Sequence, residues 1–215
     1  MKTFNIELTG KTPILMHHDN IEWADFMSEW QTNPENKKSS KAGDDRTPAW
    51  RWLGCVYHDG KHVALPQANI MRCMMEGGAM VLTGKGQKTF KAQTQSGMMT
   101  VEPFWQFLVN GKQISWADIE ALKDENTFAN HKKAVDSMGF GLMVKRARIG
   151  QSKHIRVRPV FNEWTARGSF AVWDEQLETA LPSIMEYAGQ YKGLGDWRPG
   201  GKTPGPYGTF EARIY

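Results

Sequence analysis

Over the first residues of the chain, apolar and polar side chains alternate. Phe4, Ile6 and Leu8 fall on one side and Asn5, Glu7 and Thr9 on the other, up to a break at Gly10 to Pro13. A period of two is that of a half-buried strand, so residues 3–15 are predicted as the first strand. The period then changes. Trp23, Phe26, Met27 and Trp30 stand at i, i+3, i+4 and i+7, with Glu22, Asp25 and Glu29 off the stripe, which predicts a helix over 20–31 packed on the domain. Residues 33–48 carry Lys37, Lys38, Ser39, Ser40, Lys41, Asp44 and Asp45 with no apolar period and read as a mobile loop.

Residues 50–64 read as a hairpin turning at Asp59-Gly60. Pro66 then opens a helix whose Met71, Met74, Met75 and Gly78 recur at helical spacing, a stripe read as core rather than as a groove. Residues 101–115 suggest strands turning at Asn110-Gly111, and residues 116–123 a short helix. A second hairpin is expected over 143–159 around Gly150, and two further strands over 159–173 turning near Arg167-Gly168. Residues 174–188 are helical in pattern, with Leu177, Leu181, Ile184, Met185 and Ala188 as the buried face and Pro182 as a kink or restart. Residues 207–215 close the chain as a strand.

Composition narrows the class. The 215 residues, 40% hydrophobic and 23% charged without a long uncharged apolar run, suit one large globular domain or two small ones rather than a membrane protein. Glu7 interrupts the place where a signal peptide would carry its apolar stretch, so a cytoplasmic location is expected. Two separated cysteines, Cys55 and Cys73, exclude a disulfide scaffold and a four-cysteine zinc site.

Charge changes the picture more. The formal net charge is +4, but it is unevenly placed. Between Ser137 and Asn162 there is no acid, while Lys145, Arg146, Arg148, Lys153, Arg156 and Arg158 all fall there, so the hairpin around Gly150 becomes a basic arm. Nine tryptophans, several beside cations or glycines as in Asp196-Trp197-Arg198, offer flat faces on which single-stranded bases stack. Residues 193–208 hold Gly193, Gly195, Trp197, Arg198, Lys202, Tyr207 and Gly208 in a stretch too rich in glycine and proline for helix or sheet. Such a loop can be an amide nest for phosphate or a turn packed on its own rings.

Several chemistries are weighed and set aside. The glycine-containing basic stretch at 83–97 lacks a dinucleotide fingerprint, and Asp196 stands where a Walker A loop before Gly201-Lys202-Thr203 needs glycine, so no nucleotide cofactor is expected. His58 and His62 flank a turn rather than share a helix face, and no metal is expected. His17 and His18, next to Asp19 after the first strand, are the candidates for acid–base work.

Taken in order, strand 4–15, helix 66–81, an insertion, two strands over 156–173, helix 175–188 and strand 207–215 give an α+β, ferredoxin-like βαββαβ arrangement. With it the sequence resembles the RAMP superfamily, the repeat-associated proteins that form CRISPR effector backbones and process guide RNA. The likeness rests on Ile6-Glu7-Leu8-Thr9-Gly10-Lys11-Thr12-Pro13-Ile14-Leu15, on Leu65-Pro66-Gln67-Ala68-Asn69-Ile70-Met71-Arg72, and on Gly193-Leu194-Gly195 followed by Gly205-Pro206-Tyr207-Gly208-Thr209-Phe210. It implies one RAMP-like domain over 1–215 with insertions at about 16–64 and 83–155. It also implies a glycine-rich loop on the RNA backbone, a role falling to Gly195, Trp197, Arg198, Lys202 and Gly208, and a thumb across the strand at 145–158. Asp196-Trp197-Arg198-Pro199 departs from the family's loop. A virus-borne or stand-alone relative fits the resemblance as well as an effector subunit does.

The expectation is therefore a non-catalytic protein of single-stranded nucleic acid, RNA over DNA, with Trp197 and Tyr207 as stacking faces and copies aligned along the strand or joined to ribonucleoprotein subunits. The alternatives are a metal-independent endoribonuclease using His17 or His18, and a structural protein whose tryptophans and methionines pack a subunit interface.

Overall fold

The computed structural model describes residues 1–39 and 43–215 and is α+β, with two antiparallel sheets. The opening alternation forms β1 (Lys2–Gly10), whose Ile6 and Leu8 are buried. β1 pairs on one side with β8 (Trp164–Val172), from Lys2↔Val172 to Thr9↔Thr165, and on the other with β9 (Phe210–Ile214). The expected strand over 3–15 is two strands. Past Gly10 the chain turns away, fixed by Lys11 N–H on the Thr209 carbonyl (2.8 Å) and by the Trp164 indole N–H on the Thr12 carbonyl (2.9 Å). Pro13 has no N–H with which to continue the ladder. Residues Ile14–Leu15 then form β2 in the second sheet, beside β7 (Ser152–Phe161) and β6 (Gly141–Ile149).

The main sheet runs β3 (Ala64–Pro66), β5 (Phe104–Val109), β8, β1, β9, and β4 (Met98–Thr100) also pairs with β8. β4 and β5 lie one after the other along the same side of β8, and β3 covers the outer side of β5. Between the pairs Thr100↔Phe170 and Gln106↔Arg167 this stretch carries three extra residues, and the Glu102 carboxylate there accepts from Ser169 N–H (2.8 Å). The second core strand is thus 98–109 and not 156–161, which belongs to the arm. The reason is burial: Trp105, Phe107 and Val109 are all buried, whereas β7 alternates buried positions with basic ones. The sequence between β5 and β8, including the arm, is inserted into the sheet's connectivity.

The turn expected near Arg167-Gly168 is absent, because both residues lie inside β8 and the chain reverses at Asn162-Glu163. Glycine is required at 168 because the Trp105 ring lies directly on it, where a Cβ would collide. Residues 50–64 also differ from expectation. Ala49–Cys55 is a 3₁₀ helix burying Trp50, Trp52 and Leu53, and only the tip at Asp59-Gly60 is hairpin-like, closed by Asp59 N–H on the His62 carbonyl (3.0 Å).

α1 (Ile21–Thr32) rests its Trp23 against Trp50 and Trp116, with no residue fully buried. α2 (Gln67–Gly78) buries Ile70, Cys73 and Met74, and α3 (Lys91–Ser96) occupies part of the glycine-containing basic stretch at 83–97. α4 (Trp116–Glu120) and α5 (Phe128–Ser137) belong to the inserted region. There Trp52 Nε1 donates to Nδ1 of the fully buried His131, whose Nε2 meets the Glu125 carbonyl (2.8 Å), so both ring nitrogens of this core histidine have partners. α6 (Glu175–Tyr187) is capped by the Asp174 carboxylate and runs through Pro182 without a break, leaving one helical hydrogen bond unmade. α2 and α6 pack on the same core as Ile6, Leu8, Phe170 and Phe210. No described helix is long and apolar enough to cross a membrane.

Candidate functional site

The basic arm is the β6–β7 hairpin, turning at Gly150-Gln151 as expected, with Lys145 opposite Arg156 and Met143 opposite Arg158. Alternation puts Met143, Lys145 and Ala147 on the same face as Arg158, Arg156 and His154. That face looks across at the 193–208 loop. Between them lies an open cleft of about 920 Å³, lined among others by His17, Lys145, Arg148, Arg158, Trp197 and Lys202. Arg146, Arg156, Gly195 and Arg198 line it too, while Lys153 sits at the arm tip opposite Arg148.

The cations are of two kinds. At the arm's base, Gly43 to Asp45 add to the edge of β7: Ile155 N–H donates to the Gly43 carbonyl (2.7 Å) and Asp45 N–H to the Ile155 carbonyl (3.0 Å). This end of the loop read as mobile is therefore docked; Ser40 and Lys41 lie outside the described residues. Asp45, only 4% exposed, receives Arg156 Nη1 (3.1 Å), Arg158 Nη1 (3.4 Å) and Arg51 Nη1 (3.4 Å). Arg158 further reaches Asp196 through Nε (3.3 Å) and His17 Nε2 through Nη2 (3.1 Å). Arg156 and Arg158 thus tie the arm to the body. Lys145, Arg146, Arg148, Lys153 and Lys202 have no carboxylate partner among the described residues.

The glycine-rich loop is a platform rather than a nest of amides. Its N–H groups are largely engaged: Leu194 on the Gly208 carbonyl, Asp196 on Leu15, Trp197 on the Asp196 carboxylate, Gly200 on Lys192 and Gly201 on Arg198. Gly208 is buried and its N–H meets the Pro13 carbonyl (2.8 Å), so it is a packing position and not a contact surface. Arg198 is likewise anchored, through Nη1 (2.6 Å) and Nη2 (3.1 Å) on the Glu76 carboxylate of α2, which Arg72 also holds. Burial alone would raise the Glu76 pKa, but the hydrogen bonds from Arg198 and Arg72 overcome it and hold the carboxyl below its ordinary range. Tyr207 packs against Trp197 with its hydroxyl on Met143 Sδ (3.3 Å), and it is not part of the cleft's lining.

His17 and His18 part company. His17 is half-exposed on the cleft floor, with Nε2 beside Arg158 and Nδ1 3.6 Å from Asp196. Its pKa is lowered, first by burial and then by Arg158, so it rests neutral at pH 7. His18 packs its ring near Tyr57 and leaves Nδ1 buried without a partner, away from the cleft lining. His58 stacks on Trp116 at 3.8 Å. No group of three or more candidate metal ligands gathers among the described residues. Burial pushes the Cys55 thiol up, and drives that of Cys73 up to about 12.

The sheet face opposite the helices is polar at its centre, with Arg167 on Glu7 (2.6 Å) and Ser169 on Asn5 (3.1 Å), and offers no aromatic platform there. No sequence pattern assigns a role to Asp45 or Glu76, the acids that sort the cations into bound and unbound. Asp45 lies in a stretch without period, and Glu76 on a helix read only for its methionines. Asp196 was noted only as a departure from a glycine pattern. No protein-family model matches the chain, and no curated protein matches it.

Proposed function

We propose that this chain binds single-stranded nucleic acid along the cleft between the β6–β7 arm and the 193–208 loop, without cleaving it. The observation that carries the reading is one open groove lined by unneutralised cations, Lys145, Arg146, Arg148 and Lys202, and by one aromatic ring, Trp197, with Lys145 lying over that ring. Phosphates supply the missing anions, and an aromatic ring on the groove wall suits the unpaired bases of one strand better than a duplex. The connectivity β1, α2, β4–β5, β8, α6, β9, with strands side by side as β5, β8, β1, β9, supports a ferredoxin-like core of the RAMP type. RNA is preferred over DNA on that likeness, and a cytoplasmic role fits it.

If Lys145, Arg146, Arg148, Lys153 and Lys202 each meet a phosphate, affinity falls with salt at a log–log slope of about −3.5. The test is polarization with labelled single-stranded RNA, single-stranded DNA and duplex across a salt series, each endpoint then run on a denaturing gel. Tight, salt-sensitive binding of intact single strands is expected. Absence of binding at low salt would overturn the reading.

A second reading, a metal-independent endoribonuclease, is favoured by one observation: His17, Arg158 and Asp196 adjoin on the cleft floor. The Nε2 lone pair already accepts from Arg158, so His17 serves as a base only after that contact opens. Chelator-resistant cleavage lost in His17→Ala would decide for this reading.

A further inference from the structure

The 193–208 loop holds one side chain with unusual care. Trp197 has φ of +47°, the left-handed region that a bulky residue rarely adopts, so neighbouring contacts must maintain it. Its own N–H is held by the Asp196 carboxylate (2.8 Å) and its indole N–H by the Pro204 carbonyl (3.1 Å). Gly205 lies directly against the ring, where any Cβ would collide with the indole. Tyr207 packs against the ring, with centroids 5.5 Å apart. On the cleft side, what covers it is the Lys145 ammonium, 2.9 Å from the ring centroid.

These contacts differ in kind. Those with Asp196, Pro204, Gly205 and Tyr207 are packing and hydrogen bonds among the loop's own residues, fixed when the loop folds. The cover in front is the tip of a flexible side chain from another element, the exposed strand β6, and it stands at the edge of the open cleft. An ammonium over an aromatic face is held by about as much free energy as a nucleobase stacked there. A base arriving with its phosphate therefore gives Lys145 a stronger anionic partner as it takes the ring.

Resting on the binding reading above, we infer that Trp197 is a stacking site for one nucleobase of the bound strand, and that Lys145 is its exchangeable cover. On binding, the base lies on the cleft face of the indole and the Lys145 ammonium moves from the ring to the adjoining phosphate. Tyr207 is a support that touches no base. The site takes any base, because every base has a π face, and it adds affinity that salt does not screen as it screens the arm.

Two variants separate the roles. Trp197→Ala weakens binding of a short uridine oligonucleotide by about tenfold to a hundredfold and leaves the salt slope unchanged, while Trp197→Tyr restores most of the loss. Lys145→Met instead makes the slope shallower by about 0.7, one phosphate contact, and keeps the stacking. An unchanged affinity in Trp197→Ala, or a changed slope, would overturn the assignment.

A measurement on the unaltered protein guards against a variant that misfolds. An RNA of 5-bromouridine is bound, irradiated and digested with trypsin, and the adduct is located by mass spectrometry. An adduct on the peptide spanning 193–202, whose sole aromatic residue is Trp197, supports the stack. Bound RNA whose adduct maps elsewhere overturns the stack and leaves the cleft reading standing. RNA that does not bind overturns both.

Discussion

The base and the outer part of the arm have nearly the same composition and opposite surroundings. At the base, Arg156 and Arg158 share the buried Asp45 with Arg51, and Arg158 also holds Asp196. Farther out, Arg146, Arg148 and Lys153 meet no carboxylate among the described residues. Identical side chains therefore do different work. A guanidinium already matched to a carboxylate gains little from a phosphate and loses much if its partner goes, whereas an unmatched one adds nothing to folding and lowers the free energy of an incoming anion. The glycine-rich loop repeats the division: Arg198 is anchored on Glu76, while Lys202 is exposed and unmatched.

The largest effect should come from the base. Asp45→Ala leaves Arg51 and Arg156 without their carboxylate and Arg158, only 11% exposed, with Asp196 alone, and is expected to destabilise the fold by about 3 kcal/mol in chemical denaturation. Next, Arg198→Ala releases the loop from α2 and leaves Glu76 with Arg72 alone, a loss of about 1 to 2 kcal/mol. The pH dependence has a definite sign here. Because the folded Glu76 pKa is depressed, its stabilisation is present above the unfolded value near ~4.3 and is lost as pH falls through the folded value. Glu76→Gln should accordingly flatten the stability profile in that acid window.

The outer arm should behave in the opposite way. Arg146→Ala combined with Arg148→Ala is expected to change stability by less than about 0.5 kcal/mol while making the salt slope of RNA binding shallower by about 1.4. The smallest expected effect concerns His17. Burial and Arg158 keep it neutral, so affinity stays flat from pH 8 to 7 and rises in acid as the imidazole gains charge beside the strand. Titrating binding against pH in wild type and His17→Ala checks this, since the acid rise disappears in the variant.

Periodic segments were legible in the sequence. β1, the core helices α2 and α6, and the arm turning at Gly150 all follow from alternation, helical spacing and turn residues. What depended on pairing across the chain was not. Residues 98–109 and 156–161 both look like half-buried strands, and only the burial of Trp105 and Phe107 decides which enters the main sheet. Gly168 looked like a turn and is a place where a tryptophan lies on the backbone. The cleft residues were named from charge and composition, and the structure brings most of them together. Their division into matched and unmatched depends on Asp45 and Glu76, whose partners lie far away in sequence.

The most direct measurement compares the salt dependence of single-stranded RNA binding in wild type and in the Arg146→Ala/Arg148→Ala variant. A wild-type slope near about −3.5 that falls to about −2, with unfolding unchanged, is the predicted result. Equal slopes and affinities in the two proteins would contradict the assignment of the outer arm to the phosphate backbone.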